Sequence, residues 1–303
     1  MSRPKPNLFI VGAPKCGTTA WVEYLGSHPD IFFPERKEPS FFCPDLLPDQ
    51  RVQTLEDYLA LFADAGTASV AGEASPTYLR SEEAPGRIAK FDPQAKILIF
   101  LREQEEFLPS LHNQLVYNGE EPVADFETAW RLSGQRRRDE VPASCNDLRL
   151  LDYKAAGRFS EQVERYFGHF PPEQILVFQF RDWVSRPRDA YLAILKFLGL
   201  SDDGRTDFPP VNEARRRRTN LFVKLVNAPP PGALRLAATL KRLTGASSLG
   251  VARKLREIGS RPGYSSGIGQ QLRDEIHSLY ADDNRRLEQR LWRAPARKRL
   301  QDA

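Results

Sequence analysis

The chain has 303 residues, 41% hydrophobic and 28% charged, with 44 basic against 40 acidic side chains and a net charge of +4. That composition excludes a disordered chain or a fibrous repeat, and the small positive surplus permits an anionic ligand without pointing to nucleic acid. Cys16, Cys43 and Cys145 form an odd set with no CxxC pair, which excludes a disulfide framework and a zinc ribbon and sets a reducing, cytoplasmic compartment as the expectation. In chain order, the start MSRPKPNLFIVGAPK lacks the apolar core of a secretory signal. It passes instead into LFIVG at 8–12, the first of the runs that read as buried parallel strands. TTAWVEYLGSH follows with helical spacing, SVAGE at 69–73 reads as a shorter strand, and KILIFL at 96–101 as a longer one. Next come the helical patterns FLPSLHNQLVYN and YKAAGRFSEQVERYF, and then the strand QILVFQF at 174–180. No apolar run approaches the ~20 residues of a bilayer span, so no membrane helix is expected.

Alternation of strand and helix predicts an α/β class, a three-layer P-loop-like fold with a central parallel sheet and ligands at the carboxyl ends of its strands. The loops after residues 12, 73 and 101 are therefore the ones to inspect. Beyond about residue 205 the strand signals stop, and RRRR at 215–218, PPP at 229–231 and Gly/Ser turns separate amphipathic helices. The expectation is a single domain, 1–303, with an α/β core over 7–205 and a helical extension over 206–303 packing on it. Its last helix, from about 269, should lay Leu272, Ile276, Leu279 and Tyr280 on the core.

The segment LFIVGAPKCGTTAWVEYL is the most informative. A strand, a loop from Gly12 to Gly17 and a helix opened by Thr18 and Thr19 aim backbone N–H groups and the positive end of a helix dipole at one point, an anion cradle. Gly12 and Gly17 have the spacing of G-x-x-x-x-G-K-[ST], yet Thr18 stands where a nucleoside triphosphatase has lysine, and the only lysine is Lys15 inside the loop. KILIFL ends in Arg102 rather than in a magnesium-binding Asp, which suits a ligand phosphate. A P-loop kinase using ATP and magnesium and a non-catalytic nucleotide or nucleic-acid binding module are the competing readings. The RRRR block lacks interleaved stacking aromatics, so nucleic acid is not the expected partner.

These residues resemble the sulfotransferases that use 3′-phosphoadenosine 5′-phosphosulfate (PAPS). PKCGTTAWVEYLGSHPDIFFPERKEPSFF at 14–42 is similar to that family's 5′-phosphosulfate loop and the stretches after it, and FRDWVSRPRDAYLAILKFLGL at 180–200 to its late strand–helix segment. In motif style the chain sits nearest the bacterial and the glycan or heparan-type members. The resemblance implies that Lys15, Cys16, Gly17, Thr18 and Thr19 hold the 5′-phosphosulfate and that Arg102 and Ser110 hold the 3′-phosphate, with Arg261 in SRPGYSSG as a lid contact. Two departures stand out: LREQEEFLPS replaces R-[ND]-P, and Glu103, Glu105 and Glu106 crowd Arg102.

Sulfuryl transfer needs positioning, charge stabilisation and a base, and lysine with helix amides can carry the leaving charge without a metal. The resemblance further implies Glu73, in GEASPTYL, as the general base, with Lys15 stabilising the departing nucleotide. Of the histidines, His28 reads as a helix C-terminal cap and His112 as a helix-surface residue. Cys16 reads as a small filler or, at a helix N-terminus, as a reactive thiol. The acceptor, a carbohydrate, lipid or other small-molecule alcohol, would be set by 34–68, 115–150 and 205–265, where no local motif encodes it.

Overall fold

The computed structural model describes residues 5–46, 51–145, 147–211, 215–217, 260–262 and 268–293. Contacts divide the chain into two units, one of Met1–Leu111, Asp152–Asn212 and Ile268–Ala303, the other of His112–Leu151 and Glu213–Gly267.

The first unit is built on a five-stranded sheet in the order β2-β3-β1-β4-β5, with every neighbouring pair parallel. The strands are β1 (Leu8–Gly12), β2 (Ile31–Phe32), β3 (Val70–Ala74), β4 (Lys96–Leu101) and β5 (Ile175–Gln179). β1 is buried along its whole length, as a central parallel strand covered on both faces must be. The four strands expected from the sequence are all present. β2 was not expected, because two residues carry no periodicity; it is recognised only by its pairing of Ile31 with Val70 and Phe32 with Ala71. β1 lies between β3 and β4, so the chain steps first to one side of it and then to the other. Ligands of open α/β sheets bind at such a switch point, beyond the carboxyl ends of the strands.

Helix α1 (Thr18–Gly26) follows β1. Its Trp21 is fully buried, stacked on Phe100 of β4 at 5.3 Å between ring centroids and edge-on to Trp183 at 5.4 Å. Such pairs contribute about 0.5–1.5 kcal/mol beyond area burial, and truncating a core Trp to Ala costs about 3–5 kcal/mol. This packing fixes the direction in which the helix N-terminus points. The remaining α-helices among the described residues are α2 (Leu55–Ala60), α3 (Ala84–Phe91), α4 (Gln104–Asn118), α5 (Phe126–Arg131), α6 (Tyr153–Ala156), α7 (Phe159–Phe167), α8 (Phe180–Ser185), α9 (Pro187–Leu198) and α10 (Gln270–Arg293).

The expected helix over 153–167 is broken at Gly157. A Cβ there would lie 2.5 Å from the Tyr280 ring, so α10 passes against bare backbone at the break. Tyr280 then donates to the carbonyls of Tyr153 and Lys154, each at 3.1 Å, and Asp283 accepts the Ser160 amide and hydroxyl. Leu272, Ile276, Tyr280 and Leu287 form the buried stripe of α10. Leu279 is 42% exposed and does not belong to it, because at 100° per residue it falls beyond the edge of that stripe.

In the second unit, Asp125 caps α5 by accepting from the Thr128 amide at 2.8 Å, and Arg136 pairs with buried Glu121 at 2.9 Å. His112 is buried, not on a helix surface; its Nε2 meets the Val123 carbonyl at 2.8 Å. The stretch expected to be helical throughout also holds an antiparallel ribbon, β6 (Arg215–Arg217) with β7 (Ser260–Pro262). No apolar alternation in RRR or SRP announces it in the sequence. Arg218 and the PPP segment at 229–231 lie outside the described residues.

Candidate active site

The loop between β1 and α1 is the centre of the site. Gly17 caps the helix at φ 83°, and a Cβ on it would stand 2.3 Å from Cζ2 of Trp183, so both conformation and space require glycine. The first-turn amides of α1, which have no intrahelical partners, thus point out over the end of β1. Lys15 also adopts a left-handed conformation, φ 65°, which is costly for a residue with a Cβ and concentrates at functional positions. Burial lowers the pKa of its ammonium, and the nearby Arg102 guanidinium lowers it further, while Cys16 and Glu38 oppose them. Lys15 and Arg102, which follow the adjacent strands β1 and β4, are thus near enough to feel each other's charge, an arrangement that a polyanion relieves.

Cys16 is fully buried and its amide donates to the Ala13 carbonyl at 3.3 Å. Burial pushes its thiol up to about 12 despite Arg102 and Lys15, which favours a small filler over a reactive thiol. Arg102 leaves the end of β4, lies over the Phe180 ring at 4.5 Å and pairs with Glu106 at 3.0 Å. Arg181 approaches the same carboxylate at 3.7 Å, whereas Glu105 turns to Arg273 and His277. Of the crowding acids, Glu106 is thus the one paired with Arg102. Ser110 is half-buried inside α4, after Pro109 rather than at a helix start. Arg261 sits in β7 opposite Arg216; its side chain is outside the described residues.

Thr18, Thr19 and Val22 of α1 form one wall of an open cleft of about 380 Å³, counted with the solvent space at its mouth. Phe33, Arg36, Lys37 and Glu38 also line it, as do Ala74 and Pro76. Glu73 is absent from that lining. It is 1% exposed, and both carboxylate oxygens are taken: Ser75 donates to Oε1 at 2.6 Å, Tyr58 and Tyr78 to Oε2 at 2.7 and 3.1 Å. Burial raises its pKa to about 7 against the pull of these hydroxyls. The carboxylate expected to meet an acceptor is therefore sealed beneath the cleft.

Glu38 is the acid that faces the cleft, from a turn in which it and Ser40 both have φ 53°. Surrounding protein raises its pKa, opposed by Lys37 and then Lys15. The K-E-P-x-F-F stretch was visible in the sequence, but nothing local told which glutamate would face the ligand. His28 is a buried structural residue: its Nδ1 accepts the Asp30 amide at 3.1 Å, which leaves Nε2 to donate to the Ser201 carbonyl at 3.0 Å. The C-cap of α1 is Ser27, so the expected capping role of the His28 side chain is corrected to a tie between the turn after α1 and residue 201.

Residues 5–208 match the family model described as sulfotransferase domain. The chain belongs to the sulfotransferase family. This sulfotransferase is 27% identical over 202 residues, 65% of its own length and 22% of the relative's, to the bifunctional heparan sulfate N-deacetylase/N-sulfotransferase 1 of Xenopus tropicalis. It is 26% identical over 195 residues to the mouse heparan sulfate glucosamine 3-O-sulfotransferase 5, covering 64% of this chain and 54% of that one. It thus spans between about a fifth and about half of the length of these curated relatives. The crystal structure of a sulfotransferase from Alicyclobacillus acidocaldarius superposes with a TM-score of 0.61 at 29% identity, over 82% of this chain and 99% of that one. Among the described residues no helix is long and apolar enough to cross a membrane.

Proposed function

We propose that this enzyme transfers the sulfuryl group of PAPS to the hydroxyl of a carbohydrate, lipid or other small-molecule alcohol by in-line displacement, within a single sulfotransferase domain. The observation that carries the reading is the meeting of the α1 N-terminus, Lys15 and Arg102 at the ends of adjacent strands, beside a cleft whose wall bears Glu38. In this scheme the first-turn amides of Gly17, Thr18 and Thr19 hold the phosphosulfate oxygens. Lys15 stabilises the phosphate that leaves, and Arg102 with Ser110 holds the 3′-phosphate. No metal ion is assigned a part. Arg261 is retained as a proposed lid contact.

The base is assigned to Glu38. The acceptor oxygen forms its bond to sulfur, the bond from sulfur to the bridging oxygen breaks with its electron pair passing to the phosphate, and the acceptor proton goes to the Glu38 carboxylate. Glu73, the base implied by motif likeness, is buried, accepts from three hydroxyls and does not line the cleft, which supports Glu38 in its place. A carbohydrate is favoured as acceptor because the curated relatives are named for heparan sulfate.

The test combines calorimetry with adenosine 3′,5′-bisphosphate in the absence of metal and an acceptor screen with labelled PAPS. Glu38→Gln is expected to bind the bisphosphate normally and to lose about 10²–10⁴ in rate, the usual worth of a general base. Wild-type turnover by Glu38→Gln would overturn the assignment of Glu38 as the base. Preference for ATP with magnesium over the bisphosphate would overturn the donor assignment.

A further inference from the structure

The three hydroxyls around Glu73 also hold a second segment. Ser75 Oγ accepts the Ser40 amide at 3.0 Å while donating to Glu73, and Tyr78 Oη accepts the Phe42 amide at 3.2 Å while donating to Glu73. Between them Phe41 stacks on Tyr58, 4.6 Å between centroids and 14° from parallel, and Tyr58 is the third donor. Residues 40, 41 and 42 are thus each seated on a different partner of one buried carboxylate. In its ionised form the carboxylate only accepts, so all three hydroxyl protons turn toward it, which leaves the lone pairs of Ser75 and Tyr78 for the backbone amides. The segment so fixed begins two residues after Glu38, and the left-handed conformations of Glu38 and Ser40 need outside contacts to hold them.

We propose that Glu73 is a positioning residue for Glu38: through Ser75, Tyr78 and Tyr58 it locks the backbone of residues 40–42 and with it the turn that presents Glu38 to the cleft. The proposal rests on the assignment of Glu38 as the acid that receives the acceptor proton. It gives Glu73 a part in turnover without contact with either substrate, and so accounts for a buried acid at this strand end.

The test is amide hydrogen exchange resolved at Ser40 and Phe42 in the full chain. Glu73→Ala is expected to speed exchange at both amides about tenfold, in line with the loss of one hydrogen bond each. β1 and β4 should stay as protected as in the wild type, and the bisphosphate should bind within threefold of its wild-type affinity. Tyr78→Phe keeps the ring and is expected to open Phe42 alone. With an acceptor from the screen, kcat should fall about tenfold in Glu73→Ala with the KM for PAPS unchanged, and Glu73→Gln should recover part of that loss. Wild-type exchange at Ser40 and Phe42 in Glu73→Ala overturns the proposal, as does an equal loss of protection throughout the sheet. Should Glu73→Ala fail to fold, Tyr78→Phe decides: an unchanged kcat refutes positioning and a fall at constant KM supports it. Failure of the Glu38 assignment itself shows separately, as full turnover by Glu38→Gln with exchange at Ser40 and Phe42 undisturbed.

Discussion

Glu73→Gln should change the way stability depends on pH. The folded protein raises this carboxyl from 4.5 to about 7, with burial as the main cause. Each unit is worth about 1.4 kcal/mol, so the ionised form costs the fold about 3 kcal/mol relative to the neutral one. The sign follows from proton binding: between pH 4.5 and about 7 the folded state holds a proton that the unfolded state has released. The stabilising contribution is therefore complete below pH 4.5 and is lost as pH rises through 7. Glutamine copies the neutral form and cannot titrate. Urea unfolding of wild type and Glu73→Gln, followed by tryptophan fluorescence from pH 4.5 to 8.5, should show the variant gaining on the wild type by up to about 3 kcal/mol across that window. Any fixed offset from altered hydrogen bonds is the same at every pH and drops out of the comparison. A difference between the two proteins that stays constant from pH 4.5 to 8.5 would refute the reasoning.

Lys15→Ala should reduce turnover by about 10²–10³, as loss of a charge-stabilising donor does, and weaken bisphosphate binding by calorimetry while the melting temperature stays near that of the wild type. Gly17→Ala combines a left-handed backbone with a methyl group 2.3 Å from Trp183. A loss of about 2–5 kcal/mol in urea unfolding is expected from strain and overpacking together, and unchanged stability would show that the loop moves freely. Glu106→Gln frees Arg102 from a partly exposed ion pair worth about 0–1 kcal/mol. Bisphosphate affinity should rise by up to about fivefold at low salt, and the gain should shrink as salt is added. Gly157→Ala pushes against the Tyr280 ring and should cost about 1–3 kcal/mol by melting, through displacement of α10.

Local pattern is enough to locate the scaffold of this sulfotransferase. Apolar runs at 8–12, 96–101 and 174–180 are strands because residues buried on both faces must be apolar throughout, and the Gly-bounded loop before Thr18 must open a helix over an anion. The positions of Lys15, Gly17, Thr18 and Arg102 are legible for the same reason: each lies just beyond a strand end. What the sequence does not carry is the direction a side chain takes once distant segments close over it. Glu73 and Glu38 are both glutamates beside short motifs, yet Tyr58, from 15 residues before Glu73, and Tyr78 seal one, while a turn at φ 53° delivers the other to the cleft. Leu279 and His112 follow the same logic, one left exposed at the edge of a stripe and the other buried beneath the Val123 carbonyl. Periodicity and loop chemistry are properties of neighbours along the chain, and they determined the fold and the anion cradle. Burial and hydrogen-bond satisfaction depend on partners beyond the reach of local periodicity, and only the tertiary structure could decide which acid faces the cleft.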